Sequence, residues 1–344
     1  SLNINQLRDI QIEDLLNRKP ISINNKDISD LLFGKTILIT GAAGSIGSEI
    51  ARQVLGFWPS KVILFDQAET PIFHLEGELG GLEAYKNIEK HFVIGDISRE
   101  SDLLRLFQNE KIQIVYHAAA YKHVPLMEKN PLQALTVNAI GSSILAELSL
   151  KFEVERFVQV STDKAVNPTN VMGASKRAAE LYIQSLQIFG KTKFITTRFG
   201  NVLGSNGSVV PFFKEQIAKG GPLTVTHPDI ERYFMTIPEA CSLVLEAGTM
   251  SSGGEIFVFD MGEPVKIKDL AERMIHLSGL EPYRDIEISY IGLRPGEKLF
   301  EELLSNSENT LPTYHDQILI AKVGKKDYKD LVIAWEQLKQ VVDS

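Results

Sequence analysis

The sequence predicts an α/β fold: a Rossmann-type, doubly wound parallel sheet with a smaller C-terminal substrate-binding lobe. Three observations carry that expectation. From Lys35 to Phe199, short apolar, β-branched runs alternate with helical patterns. Such continuous runs mark parallel strands buried on both faces. A glycine loop follows the first run, and an acid closes the second. After Phe199 the alternation breaks, and glycine, proline and asparagine become frequent, as expected of a second lobe over the carboxyl edge of the sheet.

The elements follow in order. Residues 1–34 are polar and helix-prone, with a loose apolar face of Leu7, Ile10, Ile12, Leu15 and Leu16, and read as an N-terminal helical extension. Strands are expected at Thr36–Thr40, Lys61–Phe65, His91–Ile94, Ile112–His117, Arg156–Val160 and Lys193–Arg198. Helices are expected at Ile46–Leu55, Ser101–Phe107, Pro131–Leu150 and Ala174–Phe189. Residues 35–200 form the nucleotide-binding domain, with a return to it at about 233–262. Residues 201–305 are mainly the substrate lobe, and 306–344 a tail with one helix near Tyr328–Val342.

Composition narrows the function. The 344 residues are 44% hydrophobic and carry a net charge of −8. That balance suits a globular protein and argues against a nucleic-acid binder, which carries a basic face. The single cysteine, Cys241, permits no internal disulfide and fits a reducing, cytoplasmic setting. It sits in a helical apolar run and reads as a small buried residue rather than a nucleophile. No apolar run approaches the ~20 residues of a membrane helix, and no His/Cys/Asp spacing suggests a metal site.

The loop Gly41-Ala42-Ala43-Gly44-Ser45-Ile46-Gly47 opens a helix directly after a strand. Glycines there let backbone approach a pyrophosphate, whose charge meets a helix N-terminus. Asp66 ends the next strand, placed to accept from both ribose hydroxyls of an adenosine and to repel a 2′-phosphate. NAD is therefore expected over NADP. Asp96 and Ile97 follow the third strand and fall near the adenine, although Asp96 also suits a strand-end cap. Ala118, Ala119 and Ala120 end the fourth strand and leave room for the cofactor; His117 and Met127 read as packing residues.

The most informative stretch runs from Ser161 to Lys176. Thr162, Asp163 and Lys164 stand side by side at the end of a strand, and Lys176 follows 12 residues later. Such a set can relay, donate and accept protons in one pocket. Met172 lies four residues before Lys176, where many nicotinamide enzymes carry a tyrosine.

These features resemble the extended short-chain dehydrogenase/reductase superfamily, from about Lys35 to Leu304, with Asn138 matching among the cofactor residues. Within it, the chain resembles the UDP-N-acetylglucosamine 4,6-dehydratases through Ala120–Glu128, Ser161–Pro168 and Leu293–Leu299. Met172 points to the configuration-retaining subgroup, similar to the catalytic domains of large, membrane-tethered bacterial dehydratases. A preceding tethering region, on the cytoplasmic face of the inner membrane, is thus an expectation for the natural gene product. The resemblance implies a lyase with an internal redox cycle: C4 oxidation, loss of water across C5 and C6, and return of hydride to C6. It implies roles too. Thr162 meets the 4-hydroxyl and relays its proton toward Asp163. Asp163 protonates the leaving C6 hydroxyl, Lys164 is the C5 base, and Lys176 holds the nicotinamide ribose.

UDP-N-acetylglucosamine is the expected substrate partner. Lys122 and His123 are expected to face the sugar, Asn201 the diphosphate or sugar, and Thr224 the uracil. Arg294, in the motif Arg294-Pro295-Gly296-Glu297-Lys298, contacts the pyrophosphate by resemblance. Arg232 is the second phosphate candidate, with an internal salt bridge to Glu231 or Asp229 as its other reading. By resemblance, helices 131–150 and 174–189 are expected to pack between copies in a homodimer or higher homo-oligomer. The rival readings are a C5-inverting dehydratase, a UDP-sugar 4-epimerase and a non-catalytic NAD-binding sensor.

Overall fold

The structure, a computed structural model, describes residues 21, 23–303, 309–324 and 326–343. The expected apolar face at Leu7–Leu16 lies outside the described residues. Six parallel strands form the first part of the sheet: β1 (Thr36–Thr40), β2 (Lys61–Asp66), β3 (Glu89–Ile94), β4 (Ile114–His117), β5 (Arg156–Thr162) and β6 (Lys193–Phe199). Their order is β3-β2-β1-β4-β5-β6, so the chain reverses direction across the sheet between β1 and β4. Strand Ile256–Phe259 adds parallel to β6. Two strands then extend the sheet antiparallel, Ile318–Lys322 and Asn309–Pro312. Alternation finds the first six strands to within a few residues. It misses the last two, because Asn309–Pro312 is exposed at the sheet edge and lacks a continuous apolar run.

Why these residues fold this way is visible in the helices. In Ser45–Leu55 the buried positions are Gly47, Ile50, Ala51, Val54 and Leu55, the i, i+3, i+4, i+7, i+8 spacing of one helical face. That face, with Ile237–Met250 and Asn25–Leu32, covers one side of the sheet. Thr236 and Glu239 cap Ile237–Met250 reciprocally, each bonding the other's backbone N–H, and Pro238 opens its first turn. Helices Glu100–Asn109, Ser142–Lys151, Val171–Ser185 and Tyr328–Asp343 cover the opposite side. Trp335 anchors the last of these. Its ring stacks on Tyr182 with centroids 4.3 Å apart, and its Nε1–H donates to Ser143 Oγ at 2.9 Å.

The expected helix 131–150 is not uniform. It widens to a π-helical stretch over Leu135–Gly141, which contains Asn138. Such local widenings recur at functional sites.

A separate apolar cluster forms the lobe beyond β6. Helices Val209–Ala218 and Ile267–Leu277 pack with strands Leu223–Val225 and Ile288–Tyr290 around Phe213, Leu223, Leu270 and Met274. Among the described residues, no helix is long and apolar enough to cross a membrane.

Candidate active site

A cleft opens at the carboxyl ends of β1 and β4, where the strand order reverses. Open α/β sheets bind ligands at such a point. Gly41 and Gly44 line its floor, Asp66 and Gln67 one wall, Gly95, Asp96 and Ile97 the far end, and Ala118–Tyr121 the other wall. Gly41 has φ +66°, and a Cβ there would stand 2.6 Å from the Ala119 nitrogen. No side chain fits, so bare backbone faces the cleft.

Asp66 shapes this cradle. Its carboxylate accepts from the Ala43 N–H and the Ala68 N–H, both at 3.0 Å. Ser45 Oγ accepts from the Asn206 N–H at 3.1 Å, tying the glycine loop to the second lobe. Ile46 and Gly47 lie on the helix behind, Gly47 buried. Asp96 Oδ1 accepts from both Ser98 N–H and Ser98 Oγ–H. It thus performs the strand-end capping role while also lining the cleft.

Asn138 is fully buried behind the cleft wall. Its Oδ1 accepts from the Tyr121 N–H at 2.8 Å, and its Nδ2 donates to the Tyr121 carbonyl and to Ser175 Oγ. Asn138 therefore fixes the Ala118–Tyr121 backbone from behind. His117 is sealed between Thr40 Oγ1 at 2.7 Å and Ser142 Oγ at 2.8 Å. Burial, with the Lys176 charge adding to it, pushes His117 down to about 3, so it packs as a neutral ring.

The Ser161–Lys176 stretch folds as strand end, turn and helix. Thr162 caps a 3-10 turn over Asp163–Ala165, its Oγ1 accepting from the Lys164 N–H. Asn170 then caps helix Val171–Ser185 by accepting from the Gly173 N–H at 2.7 Å. Gly173 permits the close packing that follows. A Cβ there would stand 2.1 Å from the Lys164 carbonyl oxygen. Sequence reasoning missed this residue, since its spacing to Lys164 carries no motif.

The polar groups converge. Thr162 Oγ1 donates to Asp163 Oδ1 at 2.9 Å, and Lys164 Nζ donates to the same oxygen at 3.0 Å. Lys164 Nζ also donates to Asn201 Oδ1 at 3.0 Å. Asp163 is 1% exposed, and its other oxygen, Oδ2, has no hydrogen-bond partner among the described residues. An unpaired buried carboxylate oxygen is costly unless something else uses it. Lys176 is also buried; its Nζ donates to the Val160 carbonyl at 2.8 Å, and burial pushes it down to about 8. Met172 packs with Met127 and Ala134 in a small apolar cluster against Tyr121.

The second lobe supplies the remaining candidates. Lys122 Nζ lies 3.4 Å from Ser205 Oγ, and desolvation lowers its pKa. The His123 ring lies against Gly207, 2.8 Å from where a Cβ would stand, and desolvation lowers it as well, Lys122 adding to the effect. Thr224 pairs with the Gln216 amide and holds its strand in place. Arg232 is held internally, but its acidic neighbours are Glu297 and Glu301 rather than the expected Glu231 or Asp229. Its guanidinium donates to the carbonyls of Glu231, Lys298 and Leu299 and lies 3.5 Å from Glu297. The Glu297 carboxylate accepts from Thr226 Oγ1 and the Arg294 N–H. Arg294 itself is exposed. The 294–302 segment docks beside the Asp163–Ala165 turn: Asn170 Nδ2 donates to the Gly296 carbonyl, and Lys298 Nζ to the Val166 carbonyl. Cys241 is fully buried in the core and its thiol is pushed up by burial, a packing residue as read from the sequence.

Strand order β3-β2-β1-β4-β5-β6, with the cleft at the reversal and a lysine-bearing helix after β5, gives the fold of the extended short-chain dehydrogenase/reductases. More narrowly, the chain belongs to the polysaccharide biosynthesis protein family, whose pattern matches residues 37–323. It is 52% identical over 336 residues to a capsular polysaccharide biosynthesis protein, CapD, of Staphylococcus aureus, covering 96% of this chain and 56% of the relative. The chain thus spans about half the length of that relative. It is 35% identical to a UDP-N-acetylglucosamine 4,6-dehydratase (inverting) of Campylobacter jejuni, covering 81% of this chain and 80% of that one. Among solved structures it is similar to Pen from Bacillus thuringiensis, with TM-score 0.78 and 34% identity over 86% of this chain and 91% of that one.

Proposed function

We propose that this chain is an NAD-dependent UDP-N-acetylglucosamine 4,6-dehydratase that retains configuration at C5, giving UDP-2-acetamido-2,6-dideoxy-α-D-xylo-hexos-4-ulose. The observation that carries the reading is the shared oxygen of Asp163. Its Oδ1 accepts from Thr162 and from Lys164, while its Oδ2 has no partner among the described residues. One carboxylate thus joins a hydroxyl and an amine in a single proton-transfer chain.

The cleft residues fit the cofactor. Gly41 presents bare backbone where a pyrophosphate must approach, Asp66 stands at the ribose position, and the alanines at 118–120 leave space. No basic side chain adjoins Asp66 in sequence, which favours NAD over a 2′-phosphorylated form. When bound, NAD supplies the hydride acceptor for C4 and the hydride donor for C6. The chain's own residues move the protons. Thr162 passes the 4-hydroxyl proton to Asp163. The 4-ketone acidifies C5–H, and Lys164 removes that proton. Asp163 protonates the C6 hydroxyl, which leaves as water. Lys164 then returns a proton to the same face of C5. Lys176 orients the nicotinamide ribose.

Met172 supports the retaining course. A thioether cannot ionise, so no phenolate stands at this position and proton handling falls to Thr162, Asp163 and Lys164. Arg294 is the exposed guanidinium for the diphosphate, while Arg232 and Glu297 hold its loop. Lys122, His123 and Asn201 face the sugar, and Thr224 supports the uracil site.

Lys164→Ala tests the assignment. In deuterium oxide the variant should lose deuterium incorporation at C5 while C4 oxidation persists. Product formation at a near-native rate would place the base elsewhere.

A further inference from the structure

The Lys164 ammonium meets oxygens from three separate segments. Asp163 Oδ1 belongs to its own turn and Asn201 Oδ1 to the segment after β6. The third is Glu301 Oε1 at 3.8 Å, from the segment that carries Arg294. Glu301 lies just past the Leu293–Leu299 motif and is not among the residues which that motif singles out.

Glu301 is not a solvated acid. It is 8% exposed, and its carboxylate also lies 3.9 Å from Arg232 Nε. Burial raises its pKa; Lys164 opposes that most strongly, Asp163 reinforces it, and Arg232 and Lys298 oppose it. A carboxylate kept in such a place is costly unless its charge is matched. Its two near cations are Arg232, which clamps the loop, and Lys164, which faces the sugar site.

We infer that Glu301 is a positioning residue for Lys164: from the 294–302 segment it draws the ammonium toward the second lobe. The inference rests on the dehydratase reading only in giving Lys164 its role as C5 base. It adds a consequence. The segment that bears the phosphate-contacting Arg294 also holds one of the two carboxylates beside the base. Ordering of that segment therefore sets how readily Lys164 gives up its proton. Asp163 lacks this freedom, being adjacent in the chain.

The test measures Lys164 directly. The full chain and its Glu301→Gln variant are labelled with acetic anhydride across a pH series, and acetylation of Lys164 is read by mass spectrometry. Removing an opposite charge at this distance should move the labelling midpoint of Lys164 downward by about one pH unit. Distant exposed lysines in the same sample should not move. Under the dehydratase reading, the acid-side limb of kcat/KM shifts down with it. A Lys164 midpoint that stays or rises overturns the inference. If Glu301→Gln does not fold, Glu301→Asp carries the test. It withdraws the charge by one methylene, so the midpoint should fall by less, and an unmoved midpoint again overturns the inference. Failure of the dehydratase reading looks different: the unmodified chain would not turn over UDP-N-acetylglucosamine, whatever the midpoint does.

Discussion

Glu180 and Arg198 form a buried ion pair beneath the Asp163–Ala165 turn, Arg198 Nη2 donating to Glu180 Oε2 at 2.7 Å and Nε to Oε1 at 2.9 Å. Both residues are fully buried. The Glu180 carboxylate also accepts from Ser161 Oγ at 2.6 Å and from Arg177 at 2.9 Å. Ser161 precedes Thr162, Glu180 lies one turn beyond Lys176, and Arg198 leads into Asn201. One pair thus ties together the three segments that bear the proposed proton-transfer residues. Burial alone would raise the Glu180 pKa, but the Arg198 guanidinium reverses that, and the carboxyl is held below its usual range.

Breaking the pair by removing one partner should be severe. Arg198→Ala leaves the fully buried Glu180 carboxylate with only the partly exposed Arg177 as ion-pair partner among the described residues and is expected to cost about 3 kcal/mol of stability. Urea unfolding measures it, with the shift in midpoint read at unchanged slope. A loss below about 1 kcal/mol would mean the pair is not what joins these segments.

Gly173→Ala tests the contact between helix Val171–Ser185 and the Lys164 turn. The added carbon would meet the Lys164 carbonyl at 2.1 Å, so turn and helix must part. Overpacking of this kind costs about 1–3 kcal/mol. Displacing a reacting group by about 1 Å costs on the order of 100-fold in rate. The expected result is a folded protein by circular dichroism with turnover reduced about 100-fold. Near-native turnover would show that the turn tolerates the displacement.

Lys176 gives a pH prediction. Burial lowers it from 10.5 to about 8, with Glu180 opposing the shift. A buried cationic group with a lowered pKa sheds its proton in the folded state first. Between about pH 8 and 10.5 the unfolded chain therefore holds more protons, so this contribution to stability rises with pH in that window. Below about pH 8 the full penalty of a charged buried lysine applies. Comparison with Lys176→Met isolates it. With nucleotide removed, the stability difference should move in favour of the unmodified chain by roughly 1–3 kcal/mol from pH 8 to 10.5. A difference independent of pH would contradict the burial argument.

The sequence made the sheet legible because strands buried on both faces are spelled as unbroken apolar runs; Thr36–Thr40 is the clearest case. The glycine loop and Asp66 were legible for a related reason, since each meets a chemical need fixed by its place at a strand end. What stayed hidden depends on contacts between distant segments. The Glu180–Arg198 pair spans 18 residues. Glu301 reaches Lys164 from far down the chain. Arg232 looks like a free phosphate ligand until the carbonyls of Lys298 and Leu299 are seen to engage it. Asn138 matched a cofactor residue by resemblance, yet its amide holds Tyr121 and Ser175 from behind the cleft wall. No local pattern encodes any of these, because each partner is set by how segments distant in the chain pack together.

In the proposed reaction, hydride leaves C4 of the sugar and is returned to C6 of the same molecule, while Thr162, Asp163 and Lys164 carry the protons. UDP-N-acetylglucosamine deuterated at C4 tests it most directly, with the product read by mass spectrometry and NMR. The account predicts a product lighter by one water, with deuterium in the new C6 methyl group. A product of unchanged mass with deuterium still at C4, as a 4-epimerase would give, contradicts it.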